Sequence, residues 1–562
     1  MRTLLPLILA AGAFLLTTSA NAQQLSDRFF DEFYFPFNPT MATSDGIHKY
    51  DGEIEDYSAA GIAKQIAKLK EFETAFEKAP AGPDRDLILS EIRSSLLELQ
   101  VIKGWERNPD NYTSGLTYSA FVIMSRSFAS QDVRLRALIS RQRKMPQALK
   151  DARGNLKNPP KIFTEIAIEQ VPGIISFFEH DVPLAFTQVK DAKLMADFKA
   201  SNAAVIAALR DFEKFLKTDL LPRSNGDFRL GAETYSKKLL YDEMVDIPLD
   251  RLLKIGYDDL RRNQQQLKEL AAKIDKTKTP QQILDTMAKE HPTPEKLLDT
   301  YRGALEGLRN FIAARKIVTI PSPVLPIVEE TPPFGRALTT ASMDTPGPYE
   351  NVAKEAFFNV TLPEKTWKPE RINAFMLGSP LSVIVTTAIH EAYPGHYTQF
   401  LWMKNVESRV RKLLGCSSNA EGWAHYSEQM MVDEGYSAAG LSNEKMRLGQ
   451  LQDALLRDAR YIVGIEMHTG KRTMEQGIEF FEKEGYQPHE IALKETKRGT
   501  SDPTYLYYTL GKLQILKLRE DYKKMRGAKF NLQEFHDSFM KQGFPPIKIV
   551  RKAMLGNDSP TL

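Results

Sequence analysis

Apolar residues recur at three- and four-residue spacing along most of this chain, a period that predicts amphipathic helices. From Ser58 to Lys78 the series is Ile62, Ile66, Leu69, Phe72 and Phe76. The same period marks residues 84–104, 115–144, 160–189, 191–219, 249–275 and 293–316. Lys, Glu, Asp and Arg fill the opposite positions, as on solvated helix faces. Between about 317 and 362 the pattern changes. Pro321, Pro323, Pro326, Pro332, Pro333, Pro346 and Pro348 interrupt it, and the runs Val324–Val328 and Phe357–Val360 are β-prone. Extended segments or a small sheet are predicted there. Ser379-Pro380 then predicts a helix start, with serine as cap and proline in the first turn. Further helices are predicted over 381–409, 419–434, 444–468, 474–484 and 503–524. Gly435 and Gly470 stand where C-terminal glycines belong. Thr473 with Gln476 has capping-box spacing, and Asp502-Pro503 reads as a cap followed by proline. The fold class is mainly α: a multi-helix body with a small β-sheet.

Length and charge refine this picture. A chain of 562 residues exceeds one ordinary core, so two or three lobes are expected. Four segments follow: a signal peptide over 1–22, an N-terminal helical region over 23–316, a Pro-rich connection over 317–362, and a helical region over 363–562 carrying the candidate site. A net charge of +3 is too small to argue for nucleic acid or an anionic membrane as partner. Arg2, the apolar run Leu4–Leu16 and Ala20-Asn21-Ala22 form a secretory signal, with Gln23 as the expected mature start. The run is too short to span a bilayer. The expected location is therefore the periplasm or outside the cell, without membrane insertion after signal removal. The lone cysteine, Cys416, allows no intramolecular disulfide and leaves none beside the signal for lipid attachment.

The chemistry concentrates in His390-Glu391-Ala392-Tyr393-Pro394-Gly395-His396. Histidine followed by glutamate on a helix pairs a zinc ligand with a general base. The second histidine of such sites usually stands four residues on, on the same face. Here it stands six residues on, which a regular helix turns by about 120°. Pro394 cannot donate to the carbonyl of His390, and Gly395 is conformationally permissive. A kink or broken turn at 393–395 is therefore predicted, returning His396 to His390. His-Glu alone carries little, since it recurs at His489-Glu490 without a partner histidine. Spacing alone leaves two readings open: a metal site, or two ordinary histidines beside a proline kink. Glu421 is the preferred third ligand, with His425 as rival and Glu428 as an outer-shell acceptor; Cys416 reads as a bystander.

These residues resemble the bacterial domain-of-unknown-function family 885, whose members carry His-Glu-x-x-Pro-Gly-His followed by Glu-Gly-Trp-Ala-x-Tyr-x-Glu; Glu421 to Glu428 matches the second motif. The likeness extends over nearly the whole mature chain, through Gly46–Asp51, Trp105–Tyr112, Gly231–Tyr235 and Arg460–His468. One departure is Gly464, where members often have aspartate. That family is in turn similar to helical gluzincin peptidases of the angiotensin-converting-enzyme, thimet-oligopeptidase and carboxypeptidase Taq kind. The resemblance implies a two-lobed helical body around a deep channel, zinc held by His390, His396 and Glu421, and Glu391 as catalytic base. Tyr508 is the first choice for oxyanion donor and His468 the second, each weighed against a purely structural role. Arg460 and Lys512 are weaker candidates for a substrate carboxylate. The expected function is zinc-dependent hydrolysis of short peptides. The alternatives are a metal-dependent amidase or esterase on another substrate, or a zinc- or peptide-binding protein without catalysis.

Overall fold

In the computed structural model, residues 23–332, 336, 339–364, 366–438 and 440–562 are described; residues 1–22, read from sequence as a signal peptide, lie outside them. Contacts divide the chain into two units. One runs to Gly226 and takes in Tyr349–Val352 and Ser408–Leu414. The other comprises Asp227–Pro348, Ala353–Glu407 and Gly415–Leu562. The protein is mainly α with one small sheet, as its periodicity predicts.

The first unit is helical. Helix α1 (Ala59–Lys78) starts where Ser58 accepts the Gly61 N–H at 2.9 Å, and it buries Ile62, Leu69, Phe72 and Phe76. Helix α2 (Pro83–Leu97) pairs with it. The single helix predicted over 115–144 is two, α3 (Asp110–Met124) and α4 (Gln131–Asn155). Arg134 makes the break possible, because its guanidinium donates to the carbonyls of Ile123, Met124 and Ala129, which a continuing helix would have satisfied. Fully buried Arg141 on α4 donates to the carbonyls of Asp51 and Ser119 and to Thr43 Oγ1, so its charge is solvated by the chain itself. Helix α5 (Ala192–Phe215) packs on α4 through Asn202 and Ser201, both bonded to buried Gln142.

The second unit holds α6 (Leu249–Ile274), α7 (Leu297–Arg315), strands β1 (Ile327–Glu330), β2 (Ala341–Asp344) and β3 (Phe357–Val360), then α8 (Leu381–Glu391), α9 (His396–Met403), α10 (Ser417–Asp433), α11 (Asn443–His468), α12 (His489–Ser501) and α13 (Tyr507–Arg526). Residues 227–316, read from sequence as part of the N-terminal region, belong to this unit, because the apolar face of α6 packs on α11. The sheet order is β1-β3-β2, with β1 parallel and β2 antiparallel to β3. Strand β3 has its predicted span; β1 starts later than predicted, and β2 has no apolar run to announce it. Phe358 on β3 is fully buried against Tyr301 of α7.

Helix starts follow the caps unevenly. Thr473 and Gln476 form the predicted capping box, and Gly435 and Gly470 have positive φ. Pro380, not Ser379, occupies the cap of α8. Residues 503–506 form a turn after Asp502, so α13 begins only at Tyr507. Helices α10 and α13 approach most closely where Gly422 meets Gly511. A Cβ on Gly511 would lie 1.8 Å from the Ser418 carbonyl oxygen. That backbone approach brings the first turn of α13, with Tyr508, toward the motif helices.

Candidate metal centre

The helix carrying His390 ends at Glu391, and a new one begins at His396. Between them the Tyr393–Pro394 peptide is cis. The Gly395 N–H reaches back to the Ile389 carbonyl at 2.9 Å, and Trp423 Nε1 donates to the Pro394 carbonyl at 2.8 Å. Only glycine fits at 395, since a Cβ there would sit 1.8 Å from the His390 carbonyl oxygen. The break turns the second imidazole back on the first: ring centroids lie 4.8 Å apart, nearly perpendicular.

Glu421, one turn into α10, completes a group of three. Its Oε2 is 3.2 Å from His390 Nε2 and 3.4 Å from His396 Nε2, and one ligand atom from each residue falls within 4.8 Å of the others. Tetrahedral zinc bonds of about 2.0–2.1 Å place neighbouring ligand atoms about 3.3 Å apart. The two His–Glu distances match that spacing, and two nitrogens with one carboxylate oxygen are a zinc-like donor set. Glu421 Oε2 is buried and receives no hydrogen bond among the described residues, as suits an atom that faces a cation.

A buried carboxylate orients His390. Glu428 Oε1 lies 2.6 Å from His390 Nδ1, and its Oε2 lies 3.1 Å from His425 Nδ1. An ionised carboxylate only accepts, so His390 Nδ1 carries a proton, which leaves its Nε2 directed at Glu421. Arg457 Nη2, 3.0 Å from Glu428 Oε1, balances the charge. The site's electrostatics ask for a cation. Burial opposes a charged His390, yet the Glu421 and Glu428 carboxylates beside it raise its pKa to about 10. Against burial, His396 and His390 hold Glu421 well below the carboxylate range. Against burial, Arg457 and His425 hold Glu428 far down.

Glu391 differs. Burial raises its pKa, and His390 and His396 only partly counter that. Its Oε2 accepts the Met343 N–H of β2 at 3.2 Å.

A family described as a bacterial protein of unknown function matches residues 39–554. The chain belongs to that family, DUF885. No curated protein matches it. Among solved structures, a putative lipoprotein of unknown function from Shewanella oneidensis is 27% identical to this DUF885 chain, with TM-score 0.78 over 95% of this chain and 99% of that one. A putative lipoprotein from Colwellia psychrerythraea is 19% identical, with TM-score 0.79 over 95% and 98%. The second likeness concerns the fold alone.

The remaining site residues of this DUF885 chain separate. The Tyr508 ring stacks 6.3 Å from that of His390, and its hydroxyl is 3.5 Å from Arg498 Nη2. Burial and the Glu421 charge raise its pKa, which keeps the phenol a donor. His468 does not join this group. It is buried near Phe228 and Tyr235, with Nε2 donating to the Gly499 carbonyl at 2.8 Å. His425 is fully buried behind Glu428. Burial and Lys512 push its pKa down to about 3, so it is neutral. Cys416 precedes α10 and lies outside the group. Arg460 is spent on a two-bond pair with Glu495, and buried Lys512 pairs with Asp259 at 3.0 Å.

Sequence reasoning missed Arg457, Met343 and Arg498. Arg457 had a signal, an arginine within the apolar run of α11 and three residues before Arg460. Met343 had none, because its contribution is a main-chain N–H.

Proposed function

We propose that this protein is a zinc-dependent peptidase that hydrolyses short peptides in the periplasm or outside the cell. The observation that carries the reading is the gathering of His390 Nε2, His396 Nε2 and Glu421 Oε2 within 4.8 Å. Simple metal storage would not need Glu391, a half-buried carboxylate that feels the charge of all three residues. Export is supported by the apolar run Leu4–Leu16 ahead of Ala20-Asn21-Ala22, and by the lipoprotein description of the Shewanella relative.

His390, His396 and Glu421 would hold the ion, and Glu428 would keep the His390 ring in its donor orientation. Zinc there would supply a Lewis acid and lower a water's pKa to about 7. Glu391 takes a proton from water as it adds to the amide carbon, then passes it to the amine as the C–N bond breaks. Its raised pKa strengthens it as a base, and the Met343 N–H fixes one of its oxygens. The Tyr508 ring stacks beside His390, and its hydroxyl would donate to the developing oxyanion.

The test incubates purified, zinc-loaded full-length protein with a mixed peptide library, with and without chelator, followed by mass spectrometry. Chelator-sensitive cleavage is expected, with Glu391→Gln keeping zinc and losing nearly all turnover. Zinc binding without any cleavage would leave a binding protein. Unchanged turnover in Glu391→Gln would remove Glu391 from its role.

A further inference from the structure

Three guanidinium groups surround the Tyr508 ring. Those of Arg460, Arg457 and Arg498 lie 4.9, 5.5 and 5.9 Å from its centroid. Two are committed inside the unit. Arg460 is fork-bonded to Glu495, and Arg457 is held by Glu428; their side chains are only 10% and 12% exposed. Arg498 is different. Its Nε and Nη2 lie 3.2 and 3.0 Å from Asp502 Oδ2, and Nη2 also reaches the hydroxyls of Tyr507 at 3.2 Å and Tyr508 at 3.5 Å. Its side chain is 37% exposed, and none of the hydrogen bonds among the described residues uses its Nη1. One edge of the guanidinium is thus fixed by Asp502 and two phenols, and the remaining amino group is left for something outside the fold.

A planar guanidinium oriented this way suits a carboxylate, to which it offers directed N–H donors at little further cost in side-chain freedom. Its guanidinium carbon lies 5.9 Å and the His390 ring 6.3 Å from the centre of the Tyr508 ring, so the two are no more than about 12 Å apart. Each extended peptide residue spans roughly 3.3–3.6 Å, so a chain end at Arg498 puts the bond at the metal group within about three residues of the terminus.

We propose that Arg498, through its Nη1, binds the free C-terminal carboxylate of a peptide substrate. The protein is then a C-terminal exopeptidase that releases about one to three residues. The assignment rests on the peptidase reading for its chemistry, but the carboxylate subsite itself does not depend on turnover.

The test uses one mixed peptide library prepared in two forms, free acid and C-terminal amide, with the zinc-loaded full-length protein. Mass spectrometry should find the acid form cut on the order of a hundredfold faster, with one to three C-terminal residues removed. Arg498→Met should bring the acid-to-amide ratio close to one, and Arg498→Lys should fall between. Equal cleavage of both forms by the wild type would overturn the subsite while leaving the peptidase reading intact. So would a preference that survives Arg498→Met. Affinity selection of both forms on Glu391→Gln protein gives a second readout without turnover. Acid retained over amide there, and lost on adding Arg498→Met, supports the subsite even if the wild type cleaves nothing, an outcome that sinks the peptidase reading alone. No preference for the acid in that selection overturns the subsite. If Arg498→Met fails to fold, the acid–amide comparison on unaltered protein decides the matter.

Discussion

Glu428→Gln is the sharpest perturbation of the site, because it removes one charge and little volume. The side chain is fully buried and serves three partners: His390 Nδ1 at 2.6 Å, His425 Nδ1 at 3.1 Å and Arg457 Nη2 at 3.0 Å. Glutamine can still accept one hydrogen bond, so the His390 contact survives in neutral form and weakens by about 1 kcal/mol. Arg457 loses its close counterion; the next carboxylate, Asp453, is 3.9 Å away, and burial raises its pKa to about 6. Breaking a buried pair in this way costs about 3–5 kcal/mol of folding stability. For the metal, loss of the carboxylate behind a histidine ligand costs about 10- to 100-fold in affinity, or about 1.4–2.7 kcal/mol. Urea unfolding measures the first quantity, and a competition titration against a zinc chelator measures the second. A variant that loses stability but binds zinc within twofold of wild type would refute the reasoning, since Glu428 would then support the fold without orienting His390.

Three further outcomes are expected. Gly395→Ala should lower stability by about 3 kcal/mol and lose bound zinc, because the new methyl collides with the His390 carbonyl; a zinc content equal to wild type by atomic absorption would contradict this. Tyr508→Phe should lower kcat by about a hundredfold with a smaller rise in KM, and the reverse pattern in steady-state kinetics would make the phenol a binding group only. The third concerns pH. Burial pushes His536 down to about 3, where the unfolded imidazole titrates near 6.5. Between those values the unfolded chain binds a proton that the folded one refuses, so stability falls as pH drops from about 6.5 to about 3. At pH 5 this costs about 2 kcal/mol, and His536→Asn should show a correspondingly flatter loss between pH 7 and 5 in urea titrations.

Sequence alone determined the mainly α class, the spans of α1, α6, α11 and β3, the break at 393–395, and the motif residues as candidates. These are properties of short windows: an apolar period, a cap, or a proline–glycine pair states its local consequence wherever it lies. The short helices Gly231–Glu243, Pro280–Ala288 and Leu532–Met540 escaped because a few turns carry too little period to be read. Tertiary structure decided what long-range packing brings together. The Gly422–Gly511 approach places Tyr508 by His390. The Pro394–Gly395 break, held by Trp423, sets His396 against Glu421. Glu428 rather than His425 faces His390, and His468 turns to Gly499 instead. Arg457, Arg460 and Arg498 look alike in sequence, yet their roles divide by which carboxylate meets each and how much water remains. That division depends on carboxylates up to 35 positions away along the chain, and no local pattern encodes it.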